Sequence, residues 1–407
     1  MLDALLHKYA HMIEYIELHN WKSFAEAKLY IEPLTFIIGT NASGKSNILD
    51  SLFFLSRLAA GYSVDDCARR IRGGEEWICR MGTTSFTLKA KVHNDDTDTD
   101  YYYEVEVTRN DGKFEIKKES LARNGRSVKV YLFQTNESAP ATSLLLPITT
   151  YTGKKGNRRR WDLYREKSIL SQLALQKVQK DVNEGVTYVV GKMTSIFFLD
   201  PMPQHMRSYS SLSKTLKEDA SNIAGVIAAL EDDERDRIEK KVAEFVRPLP
   251  ERDIKQVWTE TVGMFNKDAM LYCKEEWTND NEMTLDARGM SDGTLRFIAI
   301  VAAILTIPKG TLLMVEEVDN GLHPSRAKEL VHALSSLGEE CGLDVLCTTH
   351  NPVLIDELGD DMFQNICFVK RNAETGCSDI HLLEDKTELA RLMAAGSVGD
   401  MMIRGQI

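Results

Sequence analysis

No pair of cysteines in this sequence is spaced C-x-x-C, and its seven cysteines, Cys67, Cys79, Cys273, Cys341, Cys347, Cys367 and Cys377, are scattered and odd in number. That pattern argues against a disulfide framework and a cysteine-built zinc site, and it predicts a reducing compartment. Long apolar runs are missing as well. No stretch reaches the roughly 18 uncharged apolar residues that a membrane-spanning helix needs, and the opening MLDALLHKYAHMIEYIEL interrupts its apolar residues with His, Lys, Glu and Asp. The expectation is a soluble, cytoplasmic protein with no membrane partner. An excess of positive charge is absent too: the formal net charge is −11, so no global field draws the chain onto nucleic acid and any such contact must be local. Internal repeats, low-complexity tracts and a heptad series long enough for an extended coiled-coil arm are likewise lacking.

What is present is ample core material, 43% apolar over 407 residues, enough for an α/β protein of two or three parts. The opening segment IEYIELHNWKSFAEAKLYIEPLTFIIG alternates apolar and polar residues and ends in an apolar run against Gly39, which predicts strands, the last one buried. SNILDSLFFLSRLAAG then has helical spacing. From Ser85 to Val130 the alternation and the turn signals Asn110-Asp111-Gly112 and Asn124-Gly125 predict antiparallel hairpins. From 165 to 245 helices are expected, with Pro248 and Pro250 closing the clearest of them. After Met283 the order MSDGTLRFIAIVAAIL, TLLMVEEVD, PSRAKELVHALSSLGEE, LDVLCTTH alternates helix and strand, the pattern of a parallel α/β sheet. This divides the chain into an N-terminal lobe (1–164), a mainly helical insertion (165–282) and a C-terminal lobe (283–407).

Four motifs carry chemistry. Gly39-Thr40-Asn41-Ala42-Ser43-Gly44-Lys45-Ser46 fits G-x-x-x-x-G-K-[ST] between a predicted strand and a predicted helix. Its glycines let backbone N–H groups curl around phosphates, Lys45 reaches the outer phosphates and Ser46 ligates Mg²⁺. TLLMVEEVD ends a strand on Glu316 and Glu317, one to hold Mg²⁺ and one to polarise an attacking water. Side chains of strand neighbours diverge, so this pair must sit where the chain turns; a solvated strand end is the alternative. Ser291-Asp292-Gly293 opens an apolar helix, as a second phosphate contact or simply as an N-cap. His350, in CTTHNP at the end of another buried strand, is placed to sense a γ-phosphate.

In this order the four motifs resemble the ABC-type ATPase head shared by RecF, the SMC proteins and the OLD-type proteins. The likeness covers the segment through Gly61 and everything from Met283 onward. The start is similar to the family's opening strands and its GxNxSGKSN loop, which extends the phosphate contacts to Asn41 and Asn47. Met290 to Thr294 stands at the signature loop, Glu316 and Glu317 at the Walker B pair, Asn320-Gly321-Leu322-His323-Pro324 at the D-loop and His350 at the switch histidine. The resemblance implies an ABC-type α/β fold with an antiparallel β lobe, a parallel α/β core and an inserted helical region. It also implies ATP and Mg²⁺ as ligands, and a head-to-tail dimer or higher oligomer in which the signature loop of one copy caps the nucleotide of another. Glu316 stands where many members carry Asp. Arg288 is a surface arginine beside the signature. The family's Q-loop glutamine has one candidate, Gln172.

The chain resembles in particular the stand-alone AAA-type ATPases that phage-defence systems encode beside a second gene. OLD-type proteins continue into a TOPRIM nuclease domain; the stretch after His350 here suits two strands, NICFVKR and DIHLLE, and a helix, so any cutting is expected from a separate effector such as a nuclease. Two other readings stay open: a slowly hydrolysing scaffold that stores a toxic effector, and a RecF-like DNA-repair ATPase. A basic stretch, Lys154-Lys155-Gly156-Asn157-Arg158-Arg159-Arg160-Trp161 with Arg165, suits a phosphate backbone, an acidic partner or a solvated connector. Glu231 to Glu234 reads as a helix N-terminus, and Tyr101 to Tyr103 as strand residues facing alternately in and out.

Overall fold

Alternation of apolar and polar residues from Tyr15 builds β1 (Tyr15–Trp21) and β2 (Phe24–Tyr30), paired antiparallel in the register Tyr15↔Tyr30 to Trp21↔Phe24. The computed structural model describes residues 13–125, 128–136, 143–153, 157–248, 254–278, 281–383 and 397–404. The chain divides into two compact units that do not follow consecutive sequence: Met1–Glu32, Ile38–Ile196 and Cys367–Leu382 form one, and Pro33–Ile37, Phe197–Ile366 and Leu383–Ile407 the other.

In the first unit β1 and β2 belong to an eight-stranded antiparallel sheet with β4 (Ser85–Asn94), β5 (Thr99–Asn110), β6 (Lys113–Arg123), β7 (Val130–Thr135), β8 (Leu145–Tyr151) and β9 (Arg158–Tyr164), in the order β2-β1-β4-β5-β6-β7-β8-β9. β5 and β6 meet at Asn110↔Lys113 across the two-residue turn that Asn110-Asp111-Gly112 predicts. Tyr101 and Tyr103 are buried and Tyr102 is not, the alternation expected of them. The helices of this unit are α1 (Lys45–Ala59), α2 (Val64–Arg70), α3 (Ile169–Ala174) and α4 (Lys180–Thr194). Ile48, Leu52 and Leu55 are buried on α1. Phe54 of that helix meets Trp21 and Phe86 edge to face, with ring centroids 5.6 and 5.4 Å away.

One polar cluster lies in that core. Glu119 of β6 is fully buried and accepts from Tyr103 Oη, Ser168 Oγ and the N–H groups of Ile169 and Leu170 at the start of α3. Burial pushes its pKa up, against the four donors that pull it down. Removing the carboxylate would strand those donors, which makes Glu119 the tie between the sheet and α3.

The second unit holds the parallel core expected from the helix–strand alternation. Its strands are β3 (Leu34–Ile38), β10 (Ile196–Leu199), β15 (Leu312–Val315) and β16 (Asp344–Thr349), in the order β10-β15-β16-β3, with β15 and β16 parallel from Leu312↔Asp344 to Val315↔Cys347. β3, β15 and β16 are buried along their whole length, which is why they read as apolar runs rather than alternating ones. β17 (Ile366–Arg371) and β18 (Ser378–Leu382) form an antiparallel pair assigned mostly to the first unit.

The segment 165–282, expected to be mainly helical, is so only in part. α5 (Pro203–Met206), α6 (Ile223–Ala228) and α7 (Asp232–Val246) are followed by an antiparallel sheet of β12 (Ile254–Val262), β13 (Asp268–Thr278) and β14 (Asn281–Asp286), with the short β11 (Ser210–Ser211) on β13. IKQVWTETV buries Val257 and Thr259 on one side while Gln256 and Glu260 face water, and a register shift between Ile254 and Gln256 accompanies the burial of Ile254 as well. Asp232, Asp233 and Glu234 do occupy the first turn of α7, with Glu231 at its N-cap. α8 (Asp292–Thr306), α9 (Ala327–Cys341), α10 (Pro352–Asp356) and α11 (Val398–Ile403) complete the unit. Among the described residues no helix is long and apolar enough to cross a membrane.

Candidate functional site

β3 runs directly into the loop Gly39–Gly44, and α1 begins at Lys45. The loop needs its glycines: Gly44 has φ +118°, and a Cβ there would stand 2.7 Å from Ser378 Oγ and 2.9 Å from Ser23 Oγ. Those two hydroxyls pack the loop from behind. Ser378 Oγ donates to the Ser43 carbonyl at 2.5 Å and lies 2.8 Å from Ser23 Oγ, while Asn47 Nδ2 donates to Ser23 Oγ. Trp21 Nε1 donates to the Asn47 carbonyl. Lys45 is buried, its Nζ donating to the carbonyls of Gly39 (2.7 Å) and Thr40 (3.0 Å), so the ammonium is folded back across the loop's mouth. Asn41 is exposed at the tip and Ser46 is half-buried.

Two features mark this loop as a phosphate cradle. The N-terminus of α1 carries no side-chain cap, unlike α8 and α10, and a helix start of this kind favours an anion. Ser43 Oγ is buried without a hydrogen-bond partner, an orphan that a phosphate oxygen would satisfy. A nucleoside triphosphate fits this cradle. The Ser46 hydroxyl, at the start of α1, is a hard oxygen donor of the kind Mg²⁺ takes.

The other motifs lie in the second unit. β15 ends at Val315, and the carboxylates come next on the turn. Glu317 has φ +43°, a left-handed conformation costly for a side chain of its kind. The surroundings over-determine it: its N–H donates to Thr348 Oγ1 at 2.8 Å, and Arg296 Nη2 donates to the Glu316 and Glu317 carbonyls at 3.1 and 3.2 Å. That kink departs from the regular strand geometry that would aim adjacent carboxylates to opposite faces. His350 comes just after β16, its Nδ1 3.9 Å from Glu317 Oε1, near enough for attraction and too far for a hydrogen bond. Thr349 Oγ1 donates to Asp319 at 2.6 Å, tying the His350 strand to the D-loop side of the turn.

Ser291 is the N-cap of α8, its Oγ accepting from the Thr294 N–H at 3.1 Å. The hydroxyl thus performs the local duty that the capping alternative requires, yet Ser291 and Asp292 remain exposed at the helix tip. Gly293 is buried, and a Cβ on it would lie 2.7 Å from the Gly321 carbonyl of the D-loop segment. Arg207 grips both flanks of Ser291, donating to the Met290 carbonyl at 2.8 Å and pairing with Asp292 at 2.7 Å.

Sequence reasoning missed Ser23, Ser378, Arg207 and Arg296, and it misjudged one residue, Arg165. Gln172 makes a turn clamp: its amide pairs with both the N–H and the carbonyl of Tyr164 and donates to the Lys167 carbonyl. Arg165, expected in an exposed basic loop, is buried. The rest of that loop is strand from Arg158 on, while Lys154, Lys155 and Gly156 lie outside the described residues. Arg288 is the surface arginine expected, and it lies along Asp286, whose carboxyl its guanidinium holds below the usual range.

A family model described as an AAA domain, putative AbiEii toxin of a type IV toxin–antitoxin system, matches residues 34–356. The chain belongs to this AAA-domain family. The match takes in the phosphate loop, the signature turn, the Glu316-Glu317 pair and His350. Solved SMC heads share the fold of this family member. A structure of an SMC head bound to the C-terminal winged-helix domain of ScpA aligns with TM-score 0.52 at 16% identity, over 91% of this chain and 97% of that one. An SMC head with an extended coiled coil, bound to the C-terminal domain of ScpA and derived from Pyrococcus furiosus, aligns with TM-score 0.50 at 12% identity, over 94% and 99%. Among curated proteins none matches. The expected ABC-type α/β head of the RecF and SMC branch is therefore the fold of this chain.

Proposed function

We propose that this AAA-family ATPase binds ATP with Mg²⁺ in the cytoplasm and hydrolyses it at composite sites formed when two copies meet head to tail, and that the resulting cycle of closure and reopening controls a separate effector in defence against phage. The phosphate loop carries the reading: an uncapped helix N-terminus, a buried hydroxyl without a partner and a lysine folded across the mouth. Gly39, Asn41, Ser43, Gly44, Lys45 and Asn47 would hold the phosphates, Ser46 and Glu316 the Mg²⁺, and Ser291, Asp292 and Gly293 the nucleotide of the other copy. The metal would neutralise phosphate charge. Glu317 orients and deprotonates water, and His350 lies beside it to sense the γ-phosphate. The family description, with its toxin of a toxin–antitoxin system, supports the defence setting.

Native mass measurement tests this directly. The protein is expected to double its mass with Mg²⁺-ATP and to return to the single mass as phosphate is released. A single mass in every nucleotide state, or turnover with no ATP-dependent association, would overturn the dimer.

A second contact is supported by β9, the edge of the eight-stranded sheet. Arg158, Arg159 and Arg160 are exposed in a chain of net charge −11. Arg159 lies 4.1 Å over the Trp161 ring, and Arg158 donates to the Tyr131 carbonyl beside the exposed Tyr131 ring. Arginine with aromatic faces suits a single nucleic-acid strand. Reversing all three to Glu is expected to weaken binding of a fluorescent single-stranded oligonucleotide at least tenfold and to flatten its salt dependence. Unchanged affinity would leave β9 as an edge protected by charge.

A further inference from the structure

α8 contains one charged residue inside an apolar run. In RFIAIVAAIL the residues from Phe297 to Ile304 are fully buried, and Arg296 is only 6% exposed. A buried guanidinium is retained where its donors are used. Here they bridge two segments: Nη2 reaches the carbonyls of Glu316 and Glu317 and lies 3.5 Å from Asp200, Nη1 donates to the Pro201 carbonyl at 2.9 Å, and Nε is buried without a partner. The Glu316-Glu317 turn is strained at Glu317 and is held from its other side by Thr348 Oγ1.

The position of Arg296 on its helix gives the arrangement a consequence. Ser291 and Asp292 form the exposed end of α8, with Gly293 buried beside them, and Arg296 lies one turn later. Any displacement of that end reaches the Glu317 backbone through one rigid helix and two hydrogen bonds. The end of the helix is itself clamped, by Arg207 on Met290 and Asp292, by Arg326 on Thr294 at 3.4 Å and by the contact of Gly293 with Gly321. Such an element has few positions available to it, which is what a switch between arrangements requires.

We propose that Arg296 is a positioning residue that ties the signature helix to the turn bearing Glu317, so that contact of Ser291–Gly293 with nucleotide on a second copy sets the geometry of the water-activating carboxylate in its own chain. This rests on the head-to-tail reading above. Glu317 is then competent only in the paired state, and a monomer that has bound ATP does not waste it. The left-handed turn is the adjustable part, since a strained backbone returns to a lower-energy conformation when one of its two grips lets go.

Two variants test the tie, one on each grip: Arg296→Lys keeps the charge and loses the fork, and Thr348→Val keeps the shape and loses the acceptor. Both are expected to bind ATP and pair as the wild type does, with KM changed less than twofold and kcat lowered at least tenfold. A second readout needs no nucleotide. In the free protein the Glu317 amide should exchange with solvent at least tenfold faster in both variants, while the amides of Leu313 and Val345 keep their protection. Folded variants with normal kcat would overturn the proposal, and so would a loss of kcat that came with lost ATP binding and lost protection across β15. If Arg296→Lys fails to fold, Thr348→Val decides alone. A wild-type protein with no turnover would remove the proposed function instead, and the exchange measurement would still decide whether Arg296 and Thr348 hold the turn.

Discussion

Replacing Glu317 by Gln is expected to lower phosphate release roughly 100- to 1,000-fold, the usual effect of losing a general base, while ATP binding and pairing survive. Gln matches Glu in shape, and the turn is fixed by main-chain groups, the Glu317 N–H on Thr348 and the two carbonyls on Arg296, which the substitution leaves in place. What disappears is the carboxylate that, on the proposed function, takes the proton from water. With ATP present, the variant should therefore accumulate as a long-lived pair in native mass spectra, because assembly proceeds and the step that dissolves it does not. A scaffold that stores an effector without turnover would behave the same with either residue. Glu317→Gly sharpens the result: glycine relaxes the φ of +43° and should stabilise the fold by about 1 kcal/mol, yet be as inactive as Gln. Undiminished turnover in Glu317→Gln would remove this residue from the chemistry, and Glu316→Gln, tested beside it, would show whether the roles of the two carboxylates had been exchanged.

That Glu316 and Glu317 lie on a turn could be inferred before any coordinates, since two adjacent carboxylates cannot share one site from a regular strand. The phosphate loop was legible for a similar reason: its glycines occupy backbone conformations that other residues resist. The parallel core was legible in its continuous apolar runs, and the hairpins in their alternation. The unread parts depend on distance along the chain. Ser23, Ser43 and Ser378 meet behind the phosphate loop although Ser378 lies 355 positions from Ser23, and three serines leave no local pattern. The contacts of Gln172 were not legible, because a glutamine beside a helix start looks the same in sequence whatever its amide meets; here it meets the Tyr164 backbone. Arg296 did leave a trace, a lone cation in an apolar helix, and that trace points to a buried partner. The β12–β14 sheet is harder to see in the sequence, because register shifts beside Ile254 and between Glu276 and Thr278 break its period of two and an acidic helix precedes it.

Mixing two inactive proteins is expected to restore activity if the sites are shared between copies. Lys45→Ala removes the ammonium that bridges the Gly39 and Thr40 carbonyls, leaving the phosphate loop unable to hold the outer phosphates. Gly293→Ala puts a methyl group 2.7 Å from the Gly321 carbonyl, a main-chain atom with little freedom to yield, so the signature loop must shift away from any nucleotide it caps. Each protein alone should lose turnover at least 100-fold, a loss of about 2.7 kcal/mol or more in transition-state stabilisation. Gly293→Ala should still bind ATP as a monomer, whereas Lys45→Ala should not. In a head-to-tail mixed pair, one site combines the intact loop of the Gly293→Ala chain with the intact signature of the Lys45→Ala chain, and the other site carries both defects. Neither variant pairs with itself, so the pairs in an equimolar mixture are mixed ones with a single sound site each, and up to about half of wild-type turnover should return, provided the one sound site works independently of the other. Cooperative sites would return less, though well above either variant alone. A mixture no more active than its components would mean that each chain builds its nucleotide site from its own residues, and Ser291 would then be the N-cap of α8 and nothing further.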